Sequence, residues 1–359
     1  MGMAMKNVLI IAPESWGKSK VSKHHYALAF ADKGFQVYFL NLNIGSSGKP
    51  DRACEDHKNI TLSYISLPFY LDKLRFHSRL LYNLLLKFKI NKWTRTHPKL
   101  DYVVSFDCNG AFTDLSRFNA KRTIFFPVDQ VNEKFRKEYR GFDRLISISP
   151  VILKAFPAEK KKLLVHHGLS PQFLDKNYQY KKLKMPKKIA YVGNLLIGPI
   201  LDKSVLKKII SSHLNLEFHF YGVYQKEKSN LGSDLSKETL DFIEFLETSK
   251  NCILHGAISP KQLSLAYEQM DLFLVIYNYK YDKNQCSNSH KIMEYLSTGK
   301  PIISTRLSMF DNLNLFSMLE TFDNSQYLNF FTDQLRQWKT ISSFEMYEKR
   351  KSFVADKSY

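Results

Sequence analysis

The sequence predicts an α/β protein made of two doubly wound, Rossmann-like domains in tandem. Three observations predict this class. The 359 residues exceed what one ordinary hydrophobic core organises. The composition, with 44% hydrophobic and 24% charged residues, is that of a folded globular chain. Short apolar runs alternate with amphipathic helical segments, stop at a polar stretch over residues 171–188, and then begin again.

The first half opens with a strand, a loop, a helix and a second strand. Residues 6–12 form a continuous apolar run typical of a buried parallel strand. Helical spacing begins near residue 21, and Gly34 stands where such a helix ends. The GxGxxG phosphate fingerprint is missing, so an ordinary dinucleotide site is not expected. The strands predicted in this half cover residues 6–12, 36–42, 60–66, 101–106, 122–128 and 144–149, and residues 162–168 lead into the linker.

Residues 68–99 depart from this pattern. Leucines and Phe88 recur near helical spacing, many Lys and Arg residues interleave with them, and Asp72 is the only acid. A basic amphipathic helix that carries Trp93 suits an anionic membrane surface, with residues 72–95 as the contact. A helix with one stripe in the core and a solvated basic face fits the same pattern. Both interpretations stay open at this point.

The second half repeats the α/β pattern. Its strands are predicted within residues 187–195, 217–222, 251–256, 271–277 and 300–305, and its helices within 202–214, 259–270 and 290–299. Two such domains in tandem place a ligand cleft between the carboxyl ends of their strands. The predicted boundaries are an N-terminal domain over 1–172, a linker over 173–187, a C-terminal domain over 188–335, and a helix over 336–359 that returns to the first domain.

The charge balance is unusual, because 53 Lys and Arg against 34 Asp and Glu give a net charge of +19. Such an excess suits an anionic partner, although Lys-rich genomes also produce basic proteins without one. The four cysteines show neither disulfide nor metal-ligand spacing, and no apolar run reaches the ~18 residues of a membrane span. The expected location is cytoplasmic, soluble or peripheral on the inner face of the membrane. No zinc module or RNA-binding motif stands out, so nucleic acid is not an expected partner.

Residues 275–305 are the segment richest in chemistry. A polar loop there delivers Asn288 and Ser289 to the start of a helix, where unpaired amides suit a diphosphate. Lys291 in the first turn adds a point charge. Glu294 presents two acceptor oxygens to the two hydroxyls of a ribose.

The run SHKIMEYLSTGKPIIST, residues 289–305, resembles the donor-nucleotide motif of GT-B glycosyltransferases of the teichuronic-acid, capsule and O-antigen type, which are family-four-like enzymes. The resemblance implies a nucleotide diphosphate sugar, of UDP or GDP type, as donor and no cofactor. It implies that Glu294 binds the ribose. The residues it places at the diphosphate are Asn288, Ser289, His290, Lys291, Gly193 and Asn194.

Weaker matches in the family's order extend the resemblance over nearly the whole chain. They are FFPVDQVNEKF, FDRLISISPVILKAF, LVHHGLSPQFL, KIAYVGNL and RKSFVADKSY. One departure concerns the second Glu of the retaining pattern, because Cys286 stands eight residues before Glu294. Retention or inversion at the sugar therefore stays open.

Two further features concern the reaction. Asp-x-Asp occurs nowhere, which argues against the transferase fold that binds Mn²⁺, so no metal site is predicted. An inverting reaction needs a base for the acceptor hydroxyl. The candidates are Asp129, Asp107 and His25, with its neighbour His24, and a capping or cleft-lining role is the alternative for each.

The prediction from the sequence is a glycosyltransferase that acts on a hydroxyl of a cell-surface glycan or lipid-linked acceptor. One alternative is a GT-B-type sugar-nucleotide epimerase, which needs several carboxylates in the cleft. Another is a non-enzymatic basic protein that binds membrane or nucleic acid.

Overall fold

The computed structural model describes residues 5–17, 20–44, 50–225, 234–281 and 289–359, without the side chains of 42–44 and 69–72. The chain forms two compact units, Met1–His166 and His167–Tyr359. The division falls a few residues before the predicted end of the first domain.

The first unit is built on one sheet, and its described strands have the order β3-β4-β2-β1-β5-β6-β7-β8. All neighbours pair in parallel except β3 with β4. The strands are β1 (Asn7–Ile11), β2 (Gln36–Ile44), β3 (Arg52–Ala53), β4 (Ile60–Leu67), β5 (Tyr102–Ser105), β6 (Arg122–Phe125), β7 (Arg144–Ser147) and β8 (Lys162–Leu164). The α-helices are α1 (Ser22–Asp32), α2 (Phe69–His77), α3 (Arg79–Thr96) and α4 (Pro150–Lys154).

The apolar run at the start of the chain forms a buried parallel strand, as predicted. β1 lies between β2 and β5, and Val8 to Ile11 are buried, because both faces of a parallel sheet are covered. Gly34 ends α1 with a φ of +83°, a conformation that residues with a Cβ rarely adopt.

The basic segment forms two helices that meet at Ser78. α3 buries a stripe made of Tyr82, Leu86, Ile90 and Trp93, so one face of this helix belongs to the core. The interpretation as a helix with a core-facing stripe is therefore correct for that face. The opposite face is apolar as well and is treated below.

The second unit repeats the design around a parallel sheet whose described strands have the order β11-β10-β9-β12-β13-β14. The strands are β9 (Lys188–Val192), β10 (Glu217–Tyr221), β11 (Cys252–Gly256), β12 (Leu272–Val275), β13 (Ile302–Ser304) and β14 (Ser317–Met318). The α-helices are α5 (Pro171–Leu174), α6 (Lys203–Ser212), α7 (Lys237–Thr248), α8 (Pro260–Gln269), α9 (Lys291–Ser297), α10 (Tyr327–Arg336), α11 (Trp338–Ile341) and α12 (Phe344–Val354).

Side chains of β12 alternate between two cores, one on each face of this sheet. Leu272 and Leu274 pack on one face, whereas Phe273 and Val275 pack on the other with α8 and α9. This alternation is what a doubly wound sheet requires.

The segment before β9 and the last helix both have contacts within the second unit. Leu169, Phe173 and Tyr178 lie in its core, and α12 packs against α9. The return of the C-terminal helix to the first domain stays a prediction. Within the described ranges, no helix has both the length and the apolarity that a membrane span needs.

Candidate functional site

The polar loop after β12 leads into α9, the helix that carries the predicted binding residues. Every residue of α9 is buried, because Ile292, Met293, Tyr295 and Leu296 fill the core beneath the sheet. Lys291 and Glu294 are therefore held in a largely desolvated setting. Asn288, together with Cys286, lies outside the described residues.

Glu294 is fixed from two sides. Its Oε2 accepts a hydrogen bond from the Tyr267 hydroxyl at 3.1 Å, and its Oε1 lies 3.7 Å from Nε2 of His290. Burial raises the pKa of Glu294 to about 7, whereas the Tyr267 hydrogen bond and the charge of Lys291 act to lower it. The Tyr267 hydroxyl thus orients the carboxylate, and Glu294 gains or loses its proton near neutral pH.

The Lys291 ammonium lies against aromatic faces. Its Nζ is 4.5 Å from the ring centroid of Tyr191 and 5.2 Å from that of Tyr277. Burial lowers the pKa of this lysine to about 7, while Glu294 opposes that shift. Cation–π contact stabilises an ammonium but leaves its N–H donors for another partner. A phosphate is the kind of ligand that such a cation takes.

A glycine turn follows β9 and approaches this lysine. Gly193 has a φ of +153°, and a Cβ there would lie 3.2 Å from Lys291 Nζ. Two hydrogen bonds fix the position of the turn. The Gly193 amide donates to the carbonyl of Tyr221 at 2.8 Å. The Val192 amide donates to the Tyr295 hydroxyl at 2.9 Å. The absence of a side chain at this position leaves room beside the ammonium.

A second glycine supports the first. At Gly222, with a φ of +146°, a Cβ would lie 1.9 Å from the carbonyl oxygen of Gly193. The two turns can therefore lie side by side only while residue 222 is glycine. Asn194 holds the turn from within, because its Oδ1 accepts from the Leu196 amide at 2.9 Å.

The residues at the start of α9 already use part of their backbone. The Ile292 amide donates to the carbonyl of Ser289, and the Met293 and Glu294 amides donate to that of His290. Since α9 has only seven residues, Lys291 and the Gly193 turn contribute more to an anion site than the helix dipole does. The ring of His290 lies 6.2 Å from that of the buried His167.

In the first unit, Asp129 follows β6 and forms an ion pair that the sequence did not suggest. Lys23 Nζ lies 3.0 Å from Asp129 Oδ2 and 2.7 Å from Glu14 Oε1. Burial lowers the pKa of Lys23, but Asp129 and Glu14 outweigh burial and raise it above its ordinary value. The Asp129 side chain is 66% exposed, so a carboxylate positioned by a buried lysine faces solvent.

Asp107 follows β5 and is fully buried. Its carboxylate accepts hydrogen bonds from the amides of Asn109 at 2.9 Å and Phe112 at 2.6 Å. Burial raises the pKa of Asp107, and these amides oppose the rise. These bonds organise the loop after β5, and a role as base stays a prediction.

The adjacent histidines differ in their environments. His24 is buried in α1, where its Nδ1 accepts from the Val21 amide at 3.0 Å and its Nε2 lies 3.2 Å from the carbonyl of Ser15. Burial, followed by the charge of Lys20, lowers the pKa of His24 to about 4. His25 is half-buried. Of the two, His24 has the capping role, and the role of His25 as base stays a prediction.

The most important contacts of Glu294 and Lys291 come from tyrosines that sequence reasoning missed. Tyr267 comes from α8 and Tyr191 from β9, while Tyr277 lies two residues after β12. In the sequence, each resembles an ordinary core aromatic residue. The charged pair Lys23 and Glu14 was missed as well, since nothing near Asp129 in the chain indicates it.

Comparison with known proteins bears on the fold. No protein-family model and no curated protein sequence matches the chain. Solved structures do match it. An E. coli structure described as trehalose-6-phosphate bound with UDP-2-fluoro glucose has a TM-score of 0.67 at 10% identity, covering 98% of this chain and 96% of that one.

Two further structures match over similar lengths. WaaG, a glycosyltransferase involved in lipopolysaccharide biosynthesis, has a TM-score of 0.61 at 14% identity, covering 97% of this chain and 95% of that one. Anabaena Alr3699/HepE, in complex with UDP and glucose, has a TM-score of 0.64 at 10% identity, covering 99% and 95%. The chain has the GT-B fold, with two parallel-sheet, Rossmann-like domains, and the predicted fold class is confirmed.

Proposed function

We propose that this chain is a glycosyltransferase that moves a sugar from a nucleotide diphosphate sugar, of UDP or GDP type, to a hydroxyl of a cell-surface glycan or lipid-linked acceptor. The supporting observation is the pairing, within one helical turn, of Lys291 between two tyrosine faces and Glu294 on the Tyr267 hydroxyl. Structures of the same fold are described as bound to UDP-2-fluoro glucose and to UDP with glucose.

The proposed roles follow from the chemistry of each group. The Lys291 ammonium and the Gly193 turn hold the diphosphate, with Ser289, His290 and Asn194 around them. The Glu294 carboxylate accepts from the ribose hydroxyls. As the bond from sugar to phosphate breaks, negative charge grows on the leaving diphosphate, and a fixed cation stabilises it without a metal ion. Asp129 is the base proposed for an inverting reaction, because Lys23 holds its carboxylate at the surface of the first unit.

A calorimetric titration of UDP, GDP, CMP and dTDP tests this proposal. The wild type is expected to bind one of the diphosphates, and Glu294→Gln is expected to raise that Kd about tenfold or more, because a charged hydrogen-bond partner is lost. Glu268→Gln is the matched control, since Glu268, on α8, forms its ion pair with Lys176 in the described part of the chain. Equal affinity for Glu294→Gln and the control contradicts the assignment.

The surface of α3 supports an acceptor that resides at a membrane. Opposite its buried stripe, this helix exposes Leu80, Leu84 and Phe88 at a spacing of four residues, with exposures of 87%, 52% and 65%. Lys87, Lys92 and Arg95 flank them and are exposed. Exposed apolar side chains within a basic rim suit the interface of a bilayer that contains anionic lipid.

Vesicle sedimentation tests this second part of the proposal. The protein is expected to pellet with vesicles containing phosphatidylglycerol but not with phosphatidylcholine alone. The triple variant Leu80→Ser, Leu84→Ser, Phe88→Ser is expected to stay in the supernatant. Leu214→Ser serves as control, because that leucine is 76% exposed in the second unit. Sedimentation of the triple variant at the wild-type level rules out this face as the contact.

A further inference from the structure

A small cavity of about 20 Å³ lies at the carboxyl ends of β12 and β13 in the second unit, with Tyr277, Thr305, Arg306, Phe322 and Asn324 among its lining. Space of this size holds one group as large as a water molecule or a hydroxyl.

Two of the lining residues each have one buried polar atom that lacks a hydrogen-bond partner in the described part of the chain. These atoms are Nε of Arg306, which is a donor, and Oδ1 of Asn324, which is an acceptor. A buried polar atom without a partner costs about 1–3 kcal/mol, so native proteins rarely leave two beside one cavity without a use.

Three other contacts hold the Arg306 guanidinium in place. Nη1 donates to the carbonyl of Glu320, Nη2 donates to Asp311 Oδ2 at 3.1 Å, and the guanidinium carbon lies 5.0 Å from the centroid of the Phe322 ring. These contacts fix the side chain and leave Nε unused.

The amide of Asn324 is fixed as firmly. Its Nδ2 donates to Asp202 Oδ2 at 2.9 Å and to the carbonyl of Tyr277 at 2.7 Å. Both amide hydrogens are used by atoms that only accept, so the assignment of Oδ1 is unambiguous. Two residues that line the cavity therefore each carry one fixed and unpaired polar atom, a donor on Arg306 and an acceptor on Asn324.

Tyr277 connects this cavity to the site on α9. The Lys291 ammonium lies 5.2 Å from the Tyr277 ring, while the Tyr277 amide donates to Thr305 Oγ1 at 3.1 Å. Glu294 instead contacts Tyr267 of α8. The cavity and Glu294 thus adjoin two different tyrosines, Tyr277 and Tyr267, as separate subsites for the two ends of a sugar nucleotide would.

We propose that Arg306 and Asn324 form a specificity subsite for one hydroxyl of the transferred sugar. A hydroxyl accepts from Nε of Arg306 and donates to Oδ1 of Asn324 at the same time. A donor with hydrogen at that position leaves both atoms unpaired, so the site selects against it. This inference rests on the proposed function, because it assumes that the Lys291 site holds the diphosphate.

The test separates the sugar from the nucleotide. UDP-glucose, UDP-galactose and GDP-mannose are titrated into the wild type alongside UDP and GDP, and then the single-deoxy analogues of whichever sugar nucleotide binds. One deoxy analogue is expected to bind the wild type about tenfold more weakly than its parent. In Arg306→Lys, which retains the charge, parent and analogue are expected to bind alike, while the affinity for the nucleotide diphosphate stays within twofold of wild type.

Each adverse outcome has a distinct meaning. If no nucleotide diphosphate binds the wild type, the proposed function fails. If the diphosphate binds but no deoxy analogue is discriminated, or Arg306→Lys discriminates as the wild type does, the subsite is overturned. A crystal structure with the sugar nucleotide that shows an ordered water between Arg306 and Asn324, with the sugar elsewhere, also overturns it. A single cooperative thermal transition for Arg306→Lys, as for the wild type, shows that the variant is folded.

Discussion

The hydroxyl of Tyr267 donates a 3.1 Å hydrogen bond to Glu294 across 27 residues of sequence, and both side chains are buried. The bond orients a carboxylate whose pKa burial raises to about 7. The ionised carboxylate is the stronger acceptor and has no competing O–H donor, so this contact governs both the orientation and the charge of the group proposed to bind the ribose hydroxyls.

Tyr267→Phe removes this donor and leaves the rest of the ring in place. The pKa of Glu294 is expected to rise further, because the hydrogen bond lowers it in the wild type. Binding of the nucleotide diphosphate weakens as the pH falls through the pKa of this carboxyl, so the loss is expected to begin at a higher pH in the variant. Titrations of Kd between pH 5.5 and 9 measure the shift. Glu294→Gln is the control, and adding Tyr267→Phe to it should change nothing. A profile for Tyr267→Phe that overlays the wild type contradicts the positioning role.

Binding of the diphosphate is expected to take up a proton above pH 7. Burial lowers the pKa of Lys291 to about 7, and a phosphate placed beside the ammonium favours its charged form. At pH 8 the Lys291 side chain of the free protein is therefore mostly neutral, and it gains up to one proton when the diphosphate binds. Calorimetry in buffers of different ionisation enthalpy measures this uptake. Lys291→Met is expected to abolish the uptake and weaken binding, and an uptake that survives this change assigns the proton to another group.

His24 makes the stability of the first unit depend on pH. Its pKa in the folded state is about 4, below the ordinary value of 6.5, so the folded state binds fewer protons than the unfolded chain between these values. The free energy of unfolding that neutral His24 contributes is fully present above pH 6.5 and is lost as the pH falls toward 4. It amounts to about 3 kcal/mol, at 1.36 kcal/mol for each pKa unit.

His24→Gln tests this, because Gln at the third helical position also accepts from the N-cap amide but does not titrate. Urea unfolding between pH 7 and pH 4 is expected to show a loss of stability about 3 kcal/mol larger for the wild type than for the variant. If the free energy of unfolding falls with pH by the same amount in both proteins, His24 is excluded as the cause of the pH dependence.

Arg350 on α12 stabilises the second unit without a carboxylate partner among the described residues. Its buried guanidinium donates to the carbonyls of Leu315 at 2.8 Å, Gly299 at 3.0 Å and Ile341 at 2.8 Å. Arg350→Met leaves three buried acceptors unpaired and is expected to lower the free energy of unfolding by about 3 kcal/mol or more. Arg336→Met is the matched control, with an expected effect below about 0.5 kcal/mol, because Arg336 is exposed and its ion pair is the surface pair with Asp333 three residues earlier. Similar urea midpoints for both variants would refute a stabilising role for Arg350.

The central strands and α9 could be predicted because their signals are local. The run around Val8 is apolar throughout, and the spacing from Lys291 to Glu294 lies within a single helical turn. The approach of Gly193 to Lys291 could be expected only from the family resemblance, since the two residues lie far apart in the chain. The two faces of α3 were not separable in the sequence, because apolar residues occur on both and only packing decides which face is covered.

The sequence by itself determined the two repeated α/β units and the chemical types at the candidate site, a carboxylate and an ammonium one turn apart. Only the tertiary structure decided which tyrosines contact Glu294 and Lys291, and that Arg306 and Asn324 share a cavity. The physical reason is that helical and strand periodicity arises between near neighbours, whereas burial, orientation and pKa depend on groups that the sheet brings together from distant parts of the chain.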